Sequence, residues 1–240
     1  KVIERLTGEG HEVIGVDNLN DSYDPRLKEW RLAQLSNLPG FTFYRDDICR
    51  AEFFEELSQR HSSIQAVIHL AARAGVRQAV EIPGTYLQTN AAGTLNVLEW
   101  CRKTGTTKLV LASTSSIYGA NPPLPTPEDA DSSHPLQIYA ASKKAAEVMA
   151  YTYHHLFGLD TTVLRFFTVY GPAGRPDMVM FRFARWVTEG DPVYVTGDGN
   201  QMRGFTYLDD IADGVVRALK PVGYEIINLG GHETITINDL

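Results

Sequence analysis

Short apolar runs alternate along this chain with segments of helical period. The runs at 11–17 (HEVIGVD), 41–46 (FTFYRD), 65–71 (QAVIHLA), 108–113 (KLVLAS) and 161–167 (TTVLRFF) have the length of buried strands. Between them, apolar residues recur at helical spacing over 26–35, 51–60, 84–104 and 138–157. The opening VIERLTGEG reads as the end of a helix with its glycine stop, and the closing TITINDL as the approach to another helix. This alternation predicts an α/β fold, a doubly wound parallel sheet with helices on both faces. Turn-rich stretches at 119–136 and 170–177 are expected to lie over a site, because ligands of such sheets sit beyond the carboxyl ends of the strands.

Composition narrows the class. Of 240 residues, 43% are hydrophobic and 21% charged, the balance of a globular protein. No apolar stretch is long enough to span a bilayer, and no secretory signal opens the chain. Two cysteines, Cys49 and Cys101, argue against a disulfide framework and fit a reducing, cytoplasmic setting. A net charge of −7, with no Lys/Arg run, argues against nucleic acid as a partner. No metal-ligand spacing occurs: His69 reads as a satisfied core residue, and the adjacent His154 and His155 cannot chelate from one helix face.

Chemistry concentrates at YAASK, Tyr139 to Lys143, at the head of the 138–157 helix. A spacing of four puts phenol and ammonium on one face. There the cation would hold Tyr139 below its free pKa of about 10 and let it act as a base. Upstream, the 108–113 strand runs into Ser113, Thr114, Ser115 and Ser116, and hydroxyls at a strand's carboxyl end can hydrogen-bond a sugar. Thr114, Tyr139 and Lys143 form the expected catalytic set.

The segments GVDNLND, DDI, HLAARAGV, TNAAGTLNVLEW, STSSIYG, YAASK, LRFFTVYGPAGRPDM and MRGFTYLDDIADGV follow one another over almost the whole chain. In that order they resemble the extended short-chain dehydrogenase/reductase family of nucleotide-sugar epimerases and dehydratases. The resemblance implies a Rossmann-like NAD-binding domain over 1–166 and about 203–229. A smaller C-terminal substrate-binding lobe is implied over about 167–202 and 230–240. It implies a first strand and Gly-rich loop before Lys1, so that the chain reads as a portion of a longer protein. A homodimer paired through the helices at 84–104 and 138–157 is a further family expectation. Asp17 matches the acid that binds the adenine ribose; such an acid accepts ribose hydroxyls and disfavours a 2′-phosphate, hence NAD rather than NADP. Asp47 and Ile48 match adenine contacts, and Ala71, Ala72 and Arg73 match the turn along the cofactor. Asn90 matches the asparagine supporting the site, with Tyr139 and Lys143 completing the cofactor contacts.

Ser115 and Ser116 stand where the family's dehydratases carry an acidic pair for elimination and its decarboxylases a glutamate, so neither reaction is expected. LRFFTVYGPAGRPDM resembles the UDP-glucuronate 4-epimerases. By that likeness Ser115, Ser116 and Thr168 would hold the sugar carboxylate, Arg175 would lie beside it, and Arg203 would bind the diphosphate of a UDP-sugar. Gly204 follows Arg203 where the family usually has an acid, which loosens that arginine's expected orientation. The expected reaction is a transient oxidation at carbon 4. A UDP-galactose or UDP-pentose 4-epimerase is one alternative, and a non-catalytic NAD-sensing regulator another; such regulators commonly lack the Tyr–Lys pair kept here.

Overall fold

The computed structural model describes residues 1–231 and 234–240. Helix α1 (Val2–Gly8) leads into β1 (Val13–Asp17), α2 (Pro25–Leu35), β2 (Phe41–Arg45), α3 (Ala51–Arg60) and β3 (Ala66–His69). Two short helices, α4 (Gln78–Glu81) and α5 (Pro83–Leu87), continue through a π turn at Gln88–Ala92 into α6 (Gly93–Thr104). Strand β4 (Lys108–Thr114) ends in a 3-10 turn at Ser115–Tyr118, and after a long loop α7 (Ile138–Phe157) returns the chain to β5 (Asp160–Phe166). There follow β6 (Thr168–Tyr170), α8 (Val179–Glu189), β7 (Met202–Tyr207), α9 (Leu208–Arg217), β8 (Tyr224–Leu229) and β9 (Thr234–Thr236).

Strands β3, β4, β5 and β8 lie side by side, all parallel, and β1 pairs in parallel with β2. Every residue of β4 is buried, which is why its sequence shows no polar alternation. Its side chains divide between two layers. Leu109 and Leu111 pack with Phe53, Leu57, Val97, Leu98 and Ala146 of α3, α6 and α7, while Val110 turns to Ile211 and Val215 of α9. Ile14 and Val16 of β1 and Val67 of β3 rest on the first of these clusters. This is the helix–sheet–helix layering of the doubly wound class. Helices α6 and α7 end alike, on Gly105 and Gly158 in the left-handed region (φ 71° and 70°), which turns the chain into β4 and β5 without strain.

One expectation is corrected. The 84–104 segment is not one uniform helix, since the π turn widens it around Asn90. In TITINDL, Thr234–Thr236 form β9, antiparallel to β7, and 237–239 form a turn in which Thr236 Oγ1 accepts the Asp239 amide at 3.1 Å. Pairing with Met202–Gly204 satisfies the β9 backbone as a ladder. Strand β7 also pairs with β6, so 202–207 belong to a three-stranded sheet apart from the four-stranded one. No helix among the described residues is long and apolar enough to cross a membrane.

Candidate active site

Strand β4 delivers Thr114 to the carboxyl edge of the sheet, where Tyr139 lies in the first turn of α7. Thr114 Oγ1 accepts the Ser116 amide at 3.2 Å, and its hydroxyl is near enough to the Tyr139 phenol to favour the phenolate. Strand alternation sends Ser113 the opposite way, buried and donating to Glu147 Oε1 at 2.5 Å. Ser113 is therefore a core residue, which corrects the expectation that all four hydroxyls face a sugar. Ser115 is half-buried and Ser116 exposed.

Burial raises the Tyr139 pKa above 10, and Thr114 and the Arg175 charge pull it back only in part. Lys143 is 2% exposed, and burial pushes its own pKa down to about 8 against the opposing pull of Glu147. Its Nζ is sealed from solvent with no hydrogen-bond partner among the described residues. A buried, unpartnered ammonium is costly, and the hydroxyls of a ribose are the kind of acceptor that would satisfy it. The residues here thus fit the sugar end of a dinucleotide.

A chain of buried polar groups fixes this arrangement. Asn90, fully buried in the π turn, accepts the Arg73 amide at 2.7 Å and donates to the Arg73 carbonyl at 2.9 Å. The same amide group donates to Ser142 Oγ at 2.9 Å, and Ser142 donates to the Tyr139 carbonyl at 2.8 Å. Ala71, Ala72 and Arg73 are thereby held against the first turn of α7. Behind them, Thr94 bonds both the Asn90 carbonyl at 2.6 Å and His69 Nε2 at 2.9 Å. Burial, helped by the Lys143 charge, drives the His69 pKa down to about 3, so it is a neutral core residue as its sequence position implies.

The other cofactor positions vary in availability. Asp17 closes β1 with an exposed carboxylate that also accepts the Leu19 amide at 2.7 Å. Asp47 accepts Cys49 N at 2.8 Å and Asn18 Nδ2 at 2.7 Å; burial works against its charge, but these bonds keep its pKa below the usual carboxylate value. The Ile48 side chain is committed to the core beside Gly93, and its carbonyl accepts Asn96 Nδ2 at 2.9 Å. Arg73 reaches Ser22 with its guanidinium.

Among the substrate positions, Thr168 opens β6 opposite Phe205. Arg175 sits in the 171–177 loop, its Nε and Nη2 forked onto Asp177 at 3.0 and 2.5 Å. It packs so close to Gly75 that a Cβ there would lie 3.2 Å from Nη2. Arg203 is exposed on β7, donates to its neighbour's carbonyl, and is not joined to the Tyr139 cluster among the described residues.

Sequence reasoning missed Ser142, Tyr86, Asp177 and the Glu147–Arg165 pair. Tyr86 is fully buried and meets the Tyr139 ring edge-on at 6.3 Å. Arg165 grips Glu147 at 3.0 and 2.9 Å and gives Nη1 to Tyr118 Oη and the Glu128 carbonyl at 2.8 and 2.7 Å. A signal for the pair exists: Arg165 is the one charge inside an apolar strand, and Glu147 lies one turn beyond Lys143.

The sequence profile of the NAD dependent epimerase/dehydratase family matches residues 1–230. A UDP-glucuronate 4-epimerase of Thermodesulfobacterium geofontis is 55% identical over all of this chain and 74% of its own length. The crystal structure of a UDP-glucuronic acid 4-epimerase from Bacillus cereus, in complex with UDP-glucuronic acid and NAD, is 34% identical. It superposes with a TM-score of 0.91 over 99% of this chain and 76% of that one. A UDP-glucose 4-epimerase from Thermotoga maritima, bound to UDP-glucose, is 31% identical, with a TM-score of 0.90 over 99% and 75%. The fold, the Thr114–Tyr139–Lys143 edge and these likenesses agree: the chain belongs to the NAD dependent epimerase/dehydratase family and is an NAD-dependent enzyme.

Proposed function

We propose that this enzyme is a UDP-glucuronate 4-epimerase, interconverting UDP-glucuronate and UDP-galacturonate. The carrying observation is Arg175, a half-buried cation paired with Asp177 and packed against Gly75, near enough to Tyr139 to favour its phenolate. A permanent positive charge beside the reacting centre suits a sugar with a carboxylate better than a neutral hexose. The Bacillus cereus relative with bound UDP-glucuronic acid supports the same substrate class.

Bound NAD supplies the reversible oxidation at the sugar's carbon 4. Tyr139 takes the proton of the 4-hydroxyl and returns it to the opposite epimer, while Thr114 hydrogen-bonds the phenol oxygen. Thr114 and Arg175 favour the phenolate against the cost of burial, and Lys143, one turn along α7, is proposed to add to them. Asp17, Asp47, Ile48, Ala71, Ala72, Arg73 and Asn90 are the proposed cofactor contacts, with Lys143 directed to the nicotinamide ribose. The 4-keto sugar then turns over in the site to expose its other face.

That keto sugar is a β-keto acid, which loses carbon dioxide once its carboxylate aligns with the carbonyl. Ser115, Ser116, Thr168 and Arg175 are proposed to fix the carboxylate away from that alignment. Arg203 is the proposed diphosphate ligand. Replacing Arg175 with alanine is expected to raise the ratio of UDP-pentose to epimer product; an unchanged ratio would remove Arg175 from the carboxylate site. Val148 and Tyr151 lie exposed on one face of α7, which supports pairing with a second copy of the chain.

A further inference from the structure

Helix α2 reaches the loop that carries Arg175 through Arg31. Arg31 donates from Nη1 to Tyr23 Oη at 2.6 Å and from Nη2 to the Gly174 carbonyl at 2.9 Å. That carbonyl belongs to the same rigid peptide plane as the Arg175 amide, so holding it sets the direction from which the Arg175 side chain departs. The opposite side of Gly174 is closed by Phe181 of α8, whose ring would lie 2.4 Å from any Cβ placed there. Tyr23 is near enough for its phenol to act on the Arg175 charge. The guanidinium also stacks over the Tyr23 ring at 5.3 Å, and its Nε is buried without a hydrogen-bond partner among the described residues. Leaving a donor unsatisfied is a cost that a generic surface arginine avoids by facing water.

We propose that Arg31 and Tyr23 are positioning residues that hold the 174–175 peptide, and so Arg175, at the edge of the active site. Their consequence for catalysis rests on the carboxylate reading above; their hold on the loop does not. The planar fork is what lets one side chain serve Tyr23 and Gly174 together, and a lysine can bond only one of them in the same geometry. Through this contact the 17–24 turn after β1, which carries Asp17, is tied to the loop that carries Arg175.

The test compares full-length wild type with Arg31→Met, Arg31→Lys and Tyr23→Phe, the last removing only a hydroxyl. Hydrogen–deuterium exchange of the 174–178 amides is expected to rise roughly tenfold in Arg31→Met, and less in the other two. With UDP-glucuronate, KM should rise more than kcat falls, and the pentose fraction should grow, with Arg31→Lys recovering part of both. Unchanged exchange in Arg31→Met and Tyr23→Phe would overturn the proposal. Raised exchange with unaltered KM and product ratio would also overturn it, because the link would then be structural alone. A wild type inert on UDP-glucuronate would instead sink the substrate reading. The exchange comparison would then decide by itself whether Arg31 holds the loop.

Discussion

Asn90 and Ser142 are joined by a 2.9 Å hydrogen bond across 52 residues of sequence, fully buried, and this bond couples the turn at Arg73 to helix α7. Ser142 lies between Tyr139 and Lys143 in the YAASK segment, and its bonds to Asn90 and to the Tyr139 carbonyl fix the first turn of α7, which carries both. Asn90→Ala strips the partners from Arg73 N, Arg73 O and Ser142 together. A loss of about 2–4 kcal/mol in denaturant unfolding is expected, larger than for a single hydrogen bond.

Tyr139→Phe should leave stability nearly unchanged, because its ring stays edge-on to Tyr86, while turnover drops by about two to four orders of magnitude. Steady-state kinetics beside a thermal melt distinguish the two effects. Retained turnover would remove Tyr139 as the proton-transfer group.

Lys143 predicts a pH dependence of known sign. Its folded pKa, about 8, lies below the ordinary lysine value of 10.5, so the unfolded chain binds more protons between those values. In the cofactor-free protein, its unfavourable contribution is present in full below pH 8 and fades as the pH rises to 10.5. Lys143→Met should therefore be more stable than wild type at pH 7, by about 2 kcal/mol, with the gap closing across that window. Denaturant titrations at pH 7 and pH 10 measure it.

Breaking the Glu147–Arg165 pair strands a charge in the core. Glu147→Gln should cost about 3–5 kcal/mol, since Arg165 is 2% exposed and loses its counter-ion. Urea midpoints report the loss, and a Glu147→Leu/Arg165→Met double variant should recover part of it.

The strands were readable because burial on both faces leaves an unbroken apolar stretch, as Leu109–Ala112 in β4, and helix α7 because Gln137 and Gly158 bracket a long amphipathic run. Helix α9 was harder. Its Gly214 argues against a helix, yet a side chain there would meet Leu229 of β8 at 2.8 Å, so close packing demands the glycine. Strands β6 and β9 have only three residues each and owe their form to β7, a partner that local pattern does not reveal. In the site, spacing placed Tyr139 and Lys143 on one face correctly. It did not show that Lys143 would be sealed from water, or that Arg175, 36 positions further on, would also act on the phenol. Ion pairs such as Arg175–Asp177 depend on side-chain direction in a loop, which periodicity does not encode.

The most direct measurement incubates full-length protein and NAD with UDP-glucuronate, and in parallel with UDP-glucose, and follows the sugar protons by NMR. The account predicts UDP-galacturonate as the main new species, little UDP-pentose and unchanged UDP-glucose. Turnover of UDP-glucose alone would contradict it, leaving the Thr114–Tyr139–Lys143 edge in place but removing the carboxylate role assigned to Arg175.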